Sequence, residues 1–377
     1  MSPREMRPRE DKPPFSAADR RWMQRALELA GRGLATTDPN PRVGCVIVRD
    51  GQVLGEGWHQ WAGEPHAEAL ALAAAGESAR GATAYVTLEP CAHHGRTPPC
   101  SEALIRAGLA RVVFGARDPN PQVDGRGEAQ LHAAGIEVHG GLLAQASREL
   151  NPGFFRRMRT GRPWMRLKLA ASLDGRTALA SGASRWVSGE ASREDVQHWR
   201  ARSSAILTGI GTVLADDPRL DVRLEGERVR QPVRVLLDTE LRTPPQARLL
   251  AAGGPVWIFT SSEDSARRAA LEARGARIER LQPLPQLIER LGAEGMNEVH
   301  VEAGATLAGA LLQEQLVDEL LLYVAPVLLG NESRPLALIA QPPDLVSALR
   351  FGIVESVRMG EDLRLLLRPQ PSHPAQG

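Results

Sequence analysis

Glu64-Pro65-His66-Ala67-Glu68-Ala69-Leu70-Ala71-Leu72-Ala73-Ala74-Ala75-Gly76, then the apolar run 82–88, then Glu89-Pro90-Cys91, decides the reading of the first part of this chain. The Ala/Leu-rich segment closed by Gly76 predicts a helix from about 66 to 75, and 82–88 predicts a strand. His66 opens the helix, Cys91 follows the strand, and Pro99-Cys100 precedes another helix near 101–107. One imidazole and two thiolates suit zinc, and three protein ligands leave a fourth tetrahedral position for water, which distinguishes a catalytic site from a closed structural one. Residues i and i+2 do not share a helix face, so Glu68 is assigned to proton transfer rather than to the metal beside His66.

Outward from this constellation, Ser16 and Asp19 form a capping pair for a helix over about 17–33. Strands at 43–48 and 52–58 flank Asp50-Gly51, a dipeptide suited to a tight hairpin turn. With a strand at 111–115 the order is α-β-β-α-β-α-β. Taken singly, His66 is an ordinary histidine and each cysteine a small buried hydrophobe; taken together they form a ligand set. The alternative is a closed zinc site with His93 or His94 as fourth ligand. Cys45, in Val43-Gly44-Cys45-Val46-Ile47-Val48, is assigned to strand burial and not to metal.

The chain has 377 residues, long enough for two domains with separate cores. Apolar residues make up 42% and charged residues 24%, values that exclude disordered and fibrous classes. Lys plus Arg (46) nearly cancels Asp plus Glu (45), which removes the general attraction to nucleic acid or acidic membranes and favours a small-molecule substrate. Residues 1–15 lack the apolar core of a secretion signal and read as a flexible tail, as do 369–377. No run approaches the ~20 apolar residues of a membrane span, so a cytoplasmic location is expected. Three cysteines argue against a disulfide framework.

At 146–163, Pro, Gly and clustered Arg interrupt the periodicity, which marks a linker between the domain with the zinc constellation at 16–145 and a second domain at 164–368. Beyond it, strands at 165–170, 205–208, 233–238, 256–259 and 299–302 alternate with helical stretches, as in an α/β sheet. Strand 299–302 leads through Ala303-Gly304-Ala305-Thr306 into a helix whose N-terminal N–H groups suit an anion, although an ordinary turn reads the same way. It is not the G-x-G-x-x-G fingerprint.

The pattern H-x-E followed by P-C is that of zinc nucleobase deaminases, with their short C-x-x-C extended here to Cys91–Cys100. With Asp38-Pro39-Asn40-Pro41-Arg42-Val43-Gly44, Gly57-Trp58-His59, Thr87-Leu88-Glu89-Pro90-Cys91, Lys168-Leu169-Ala170-Ala171-Ser172-Leu173-Asp174-Gly175-Arg176, Ser184-Arg185-Trp186 and Gly209-Ile210-Gly211-Thr212-Val213-Leu214-Ala215-Asp216-Asp217-Pro218-Arg219-Leu220, the chain resembles the bifunctional riboflavin-biosynthesis deaminase/reductases over about 16–368. The resemblance implies a cytidine-deaminase-like α/β/α domain followed by a dihydrofolate-reductase-like α/β domain. The first would remove the 2-amino group of 2,5-diamino-6-(5-phosphoribosylamino)pyrimidin-4-one. The second would use NADPH to convert the ribosyl side chain to ribityl, giving 5-amino-6-(5-phosphoribitylamino)uracil.

The same matching implies cofactor contacts at Ala170, Trp186, Thr212, Asp216, Thr239 and Gly304, Ala305, Thr306, Leu307, Ala308, Gly309 and Ala310. It implies substrate contacts at Ser184, Arg200, Leu220, Arg223 and Glu302, and deaminase-side contacts at Asn40 and His59, with loop 93–97 bordering the pocket. Lys168 either orients the cofactor, or assists protonation of the developing alkoxide, or is an ordinary surface lysine at a strand end. Asp216-Asp217-Pro218 is also a common turn sequence. Two rival functions are open: a nucleic-acid base editor, prompted by the aromatic and basic stretch 154–162, which also reads as a charged linker, and a zinc-bound structural protein without turnover. A homo-oligomer is also open.

Overall fold

The computed structural model describes residues 15–92, 98–121, 123–183, 186–226 and 228–370. The chain divides into two compact units, Met1–Gly33 with Arg42–Leu150 and Leu34–Pro41 with Asn151–Gly377.

In the first unit, strands β1 (Gly44–Arg49), β2 (Gln52–Trp58), β3 (Thr83–Leu88), β4 (Arg111–Ala116) and β5 (Glu137–Gly140) form one sheet in the order β2-β1-β3-β4-β5. β1 runs antiparallel to β2 and β3, while β3, β4 and β5 are parallel. Asp50 (φ 52°) and Gly51 (φ 77°) make the left-handed turn between the paired Arg49 and Gln52, as their sequence predicts. The Ser16–Asp19 box is formed reciprocally: the Asp19 amide donates to Ser16 Oγ (3.1 Å) and the Ser16 amide to Asp19 Oδ2 (2.8 Å).

One sheet face packs Cys45, Ile47, Val86 and Phe114 against Ala67, Ala71, Leu104 and Leu131 of helices Ala67–Ala75, Cys100–Arg106 and Arg126–Ala133. The other packs Val46, Val48 and Val113 against Met23, Ala26 and Leu29 of helix Ala17–Gly31. A side chain at Gly57 has no room, because a Cβ there would lie 2.3 Å from the Ala67 carbonyl oxygen. Helix Ala67–Ala75 therefore rests directly on β2.

In the second unit the strands are β6 (Trp164–Ser172), β7 (Arg176–Ala178), β8 (Ala205–Gly209), β9 (Val233–Leu237), β10 (Val256–Thr260), β11 (Ala276–Arg280), β12 (Glu298–Glu302), β13 (Glu319–Ala325), β14 (Arg334–Pro335), β15 (Phe351–Met359) and β16 (Asp362–Pro369). Nine of them form a sheet ordered β11-β10-β9-β8-β12-β6-β13-β16-β15, and β14 and β7 pair separately. The strands from β11 to β13 are parallel, with an antiparallel β16-β15 edge. The five strands expected from sequence are consecutive in this sheet, β10-β9-β8-β12-β6. Leu167, Leu207, Val299 and Val301 pack against Leu287, Leu291, Ala308 and Leu311 on one face, and Val196 meets Leu321 and Tyr323 on the other.

The expected boundaries 16–145 and 146–163 differ from this division. Residues 146–150 complete helix Ala144–Leu150 in the first unit, and 152–160 form helix Pro152–Thr160 rather than an irregular linker. Pro152 is tolerated because it occupies the first helical turn, where its missing N–H has no intrahelical partner. Phe154 and Phe155 are buried, so the aromatic and basic stretch presents no rings for stacking on bases. Leu34–Pro41 group with the second unit because Asp38 accepts hydrogen bonds from Ser204 Oγ (2.8 Å), Arg230 (2.6 Å) and Asn297 (3.1 Å). No helix among the described residues is long and apolar enough to cross a membrane.

Candidate functional site

Three predicted ligands converge. His66 caps helix Ala67–Ala75, Cys91 follows β3, and Cys100 is the first residue of helix Cys100–Arg106. Their donor atoms all lie within 4.8 Å of one another: His66 Nδ1 is 3.3 Å from Cys100 Sγ and 3.7 Å from Cys91 Sγ. The Cys100 amide donates to Cys91 Sγ at 3.3 Å, so an N–H at a helix start faces this sulfur. Hydrogen bonding from the Cys100 thiol, with His66 and this N–H assisting against burial, pulls the Cys91 thiol well below the ordinary thiol range. One imidazole nitrogen and two sulfurs at these separations fit a tetrahedral zinc ion, whose bonds run to about 2.0–2.3 Å. Loop 93–97, with His93 and His94, lies outside the described residues.

Glu68 stands one residue inside the helix, 4% exposed, and burial raises its carboxyl above the ordinary range, with the Cys91 thiolate adding to the effect. It therefore holds a proton more readily than a surface glutamate. His59 is brought against His66, ring centroids 5.5 Å apart, and its Nδ1 is 3.1 Å from the Pro65 carbonyl oxygen. Burial depresses its pKa and keeps the ring neutral at physiological pH. Asn40 is half-buried in the Leu34–Pro41 segment of the second unit. Cys45 is fully buried in β1, outside the ligand group.

In the second unit, two predicted substrate contacts bind each other. Arg200 donates to both Glu302 oxygens at 2.5 and 2.9 Å and to the Asp221 carbonyl at 3.0 Å. Although burial opposes it, Arg200 holds the Glu302 carboxyl well below the ordinary range. Lys168 is register-paired with Glu302 on the neighbouring strand and lies in the middle of β6, half-buried, which removes the strand-end surface reading. Burial lowers its pKa; Glu302 opposes that and Arg200 adds to it.

Sequence reading missed two polar residues here. Asp221 pairs with Arg219 (2.7 Å) and with Arg223, and the fully buried His300 lies 3.5 Å from Glu302. The partners named lie only two residues away in the chain, and charged pairs at that spacing do not by themselves mark a site. Leu220, just before Asp221, is buried with φ 50°, a left-handed conformation that branched side chains seldom adopt. Ser184 lies outside the described residues.

Helix Ala305–Gln313 starts after an extended Gly304, with Gly304 and Thr306 exposed and no side chain capping its amides. Ala308 and Gly309 turn inward: Ala308 is part of the core, and a Cβ on Gly309 would lie 1.9 Å from the Leu338 carbonyl oxygen. Their side-chain positions therefore serve packing, and the expected cofactor stretch is left with its first turn exposed or half-buried. Ala170 is half-buried on β6, Thr212 is half-buried in helix Ile210–Asp216, and Asp216 and Thr239 are exposed. Asp217, at φ 41°, caps that helix, and its carboxylate accepts the Arg248 amide at 2.8 Å. Trp186 is exposed, with the Arg193 guanidinium 4.3 Å from its ring centroid.

Residues 16–116 match the cytidine and deoxycytidylate deaminase zinc-binding region, and 163–365 match the RibD C-terminal domain. The chain is 50% identical over 366 residues to riboflavin biosynthesis protein RibD of Escherichia coli, covering 93% of this chain and 99% of that one. Against the Bacillus amyloliquefaciens protein of the same name it is 44% identical over 359 residues, covering 93% and 96%. Acinetobacter baumannii RibD superposes with a TM-score of 0.89 at 49% identity, covering 94% of this chain and 99% of that chain. A Thermotoga maritima diaminohydroxyphosphoribosylaminopyrimidine deaminase/5-amino-6-(5-phosphoribosylamino)uracil reductase superposes at 0.84 with 33% identity, covering 94% and 99%.

Proposed function

Because the chain belongs to the RibD family of riboflavin-biosynthesis proteins, we propose that its two units carry out successive steps on one phosphoribosyl-pyrimidine. It is a bifunctional enzyme, a zinc-dependent deaminase followed by an NADPH-dependent reductase. The substrate of the first unit is 2,5-diamino-6-(5-phosphoribosylamino)pyrimidin-4-one, and the second converts the deaminated product to 5-amino-6-(5-phosphoribitylamino)uracil. The observation that carries the reading is the convergence of His66, Cys91 and Cys100 beside a buried Glu68.

His66, Cys91 and Cys100 would hold zinc, which when bound acts as a Lewis acid and brings the pKa of a water toward 7. Glu68 accepts the proton of the attacking water and returns it to the departing amino group, which leaves as ammonia. Its raised pKa suits both directions, since a shuttle works best when neither protonation state is strongly preferred. His59, neutral and giving its Nδ1–H to the Pro65 carbonyl, offers its second ring nitrogen as an acceptor to the substrate.

In the second unit, bound NADPH supplies the hydride. The conversion of ribosyl to ribityl adds that hydride at the anomeric carbon, breaks its bond to the ring oxygen and leaves that oxygen to take a proton. Lys168, whose pKa burial lowers, is the proton donor in this reading, with Glu302 and Arg200 fixing the sugar. Arg223 and Ser184 address the phosphate, and the first turn of helix Ala305–Gln313, with Ala170, Trp186, Thr212, Asp216 and Thr239, addresses the cofactor.

The test supplies the diamino substrate and follows ammonia release and NADPH oxidation separately, with and without a zinc chelator. Chelation is expected to stop ammonia release while pre-deaminated substrate still consumes NADPH. NADPH consumption that stops with that substrate as well would contradict the two-site assignment.

A further inference from the structure

Glu89 lies two residues before a metal ligand, is 2% exposed, and has no role in the deamination chemistry described above. Its carboxylate takes three backbone amides: Oε2 accepts from Asp118 (3.3 Å) and Gly125 (3.1 Å), and Oε1 accepts from Glu128 (3.3 Å). Gly125 is the N-cap of helix Arg126–Ala133 and Glu128 is in its first turn, so Glu89 supplies from another element the cap that this helix lacks in its own side chains. The joint is close on its backbone side too, since a Cβ on Gly127 would lie 1.9 Å from the Pro90 carbonyl oxygen. On the far side of Pro90, the Cys91 carbonyl accepts the amide (3.2 Å) of fully buried Ser101, the neighbour of Cys100, and the Ser101 hydroxyl oxygen lies 3.1 Å from the same carbonyl. The Ser101 hydroxyl is also 2.6 Å from Gln130 Oε1 of the same helix.

The residues on both sides of Pro90 are thus tied to helix Arg126–Ala133, Glu89 at its N-terminus and Cys91 through Ser101 to Gln130. We propose that Glu89 and Ser101 are positioning residues of the metal centre, fixing Cys91 Sγ relative to Cys100 Sγ and His66 Nδ1 before any ion binds. The inference rests on the zinc reading above and adds that the arrangement is held from outside the ligands. Outer-sphere partners of this kind set metal affinity through ligand orientation, and losing one costs about 10–100-fold.

The experiment measures zinc affinity of the full-length protein by competition with a chromophoric chelator, and the ligand-field spectrum of the cobalt-substituted protein, for the unmodified chain, Glu89→Gln and Ser101→Ala. The amide at position 89 keeps the shape but turns an NH2 group toward amide donors. Reductase turnover on pre-deaminated substrate reports that the rest of the chain is folded. Zinc affinity lowered at least 10-fold in Glu89→Gln, with weakened cobalt bands and unchanged reductase turnover, is the expected result. Unchanged affinity and spectrum in Glu89→Gln, even with a lowered melting temperature, would overturn the proposal. If Glu89→Gln leaves the first unit unfolded, Ser101→Ala decides: a drop in affinity supports the proposal and an unchanged value overturns it. Failure of the unmodified chain to bind zinc would instead defeat the underlying metal assignment.

Discussion

Arg200 and Glu302 form a two-pronged ion pair, 2.5 and 2.9 Å long, between helix Glu190–Ala201 and the end of β12. The resemblance implies each as a substrate contact on its own account; joined, they are a preformed unit that, in the proposed reading, would offer the substrate a carboxylate already oriented by a guanidinium. Arg200→Lys keeps the charge and loses the fork. The expected outcome is a fall of about 10–100-fold in reductase kcat/KM with deaminase turnover unchanged, measured by NADPH oxidation and ammonia release on one preparation. Equal loss of both activities would point to general unfolding.

Glu68→Gln removes the proposed proton carrier and leaves the three candidate ligands. Deaminase kcat is expected to fall by about 10²–10⁴-fold, while zinc content by metal analysis stays at the unmodified level. Cys91→Ser is expected to lose both zinc and deamination. Retained deamination in Glu68→Gln would assign the proton transfer to another group.

Gly309→Ala places a methyl against the Leu338 carbonyl, a separation of 1.9 Å that the backbone must open. A loss of about 1–3 kcal/mol in stability of the second unit is expected, read from denaturant unfolding. If the glycine instead served only a bound nucleotide, stability without NADPH would be unchanged.

Asp19 gives a pH signature in the first unit. Burial raises its pKa, but hydrogen bonds from Arg111, Ser16 and Tyr85 outweigh that and hold its carboxyl well below the ordinary range. A depressed folded-state pKa means that the stabilisation is complete above the unfolded value of about 3.9 and is lost as pH falls below it. Asp19→Asn is expected to cost about 2 kcal/mol at pH 7 and progressively less as pH falls below about 3.9, with part of the penalty remaining at pH 3, by urea unfolding. A penalty that does not change with pH would mean that charge has no part in it.

The convergence of His66, Cys91 and Cys100 was legible because candidate ligands announce themselves by residue type, and because the helix and strand that carry them have strong periodic patterns. His66, Cys91 and Cys100 needed no knowledge of distant packing beyond that. Helix Arg126–Ala133 and β5 went unread because their short segments bury few residues and so leave a weak pattern, with Leu131 and Val138 among those few. β13, Glu-Leu-Leu-Leu-Tyr-Val-Ala, is an unbroken apolar run after its leading Glu319 and reads equally well as buried helix or strand. Glu89 was quoted only as part of a motif, since a buried carboxylate that caps a helix 36 residues away leaves no periodic trace.

Where β2 passes beneath helix Ala67–Ala75, hydrogen stands in place of a side chain at position 57, and the helix backbone fills the space. That helix carries both His66 at its cap and Glu68 in its first turn, so the height at which it rides above the sheet sets where imidazole and carboxylate meet the two sulfurs. Enlarging residue 57 by one carbon would tilt or lift the imidazole and the Glu68 carboxylate relative to the two sulfurs. The geometry of this centre therefore depends on an amino acid that neither donates to the ion nor carries a functional group.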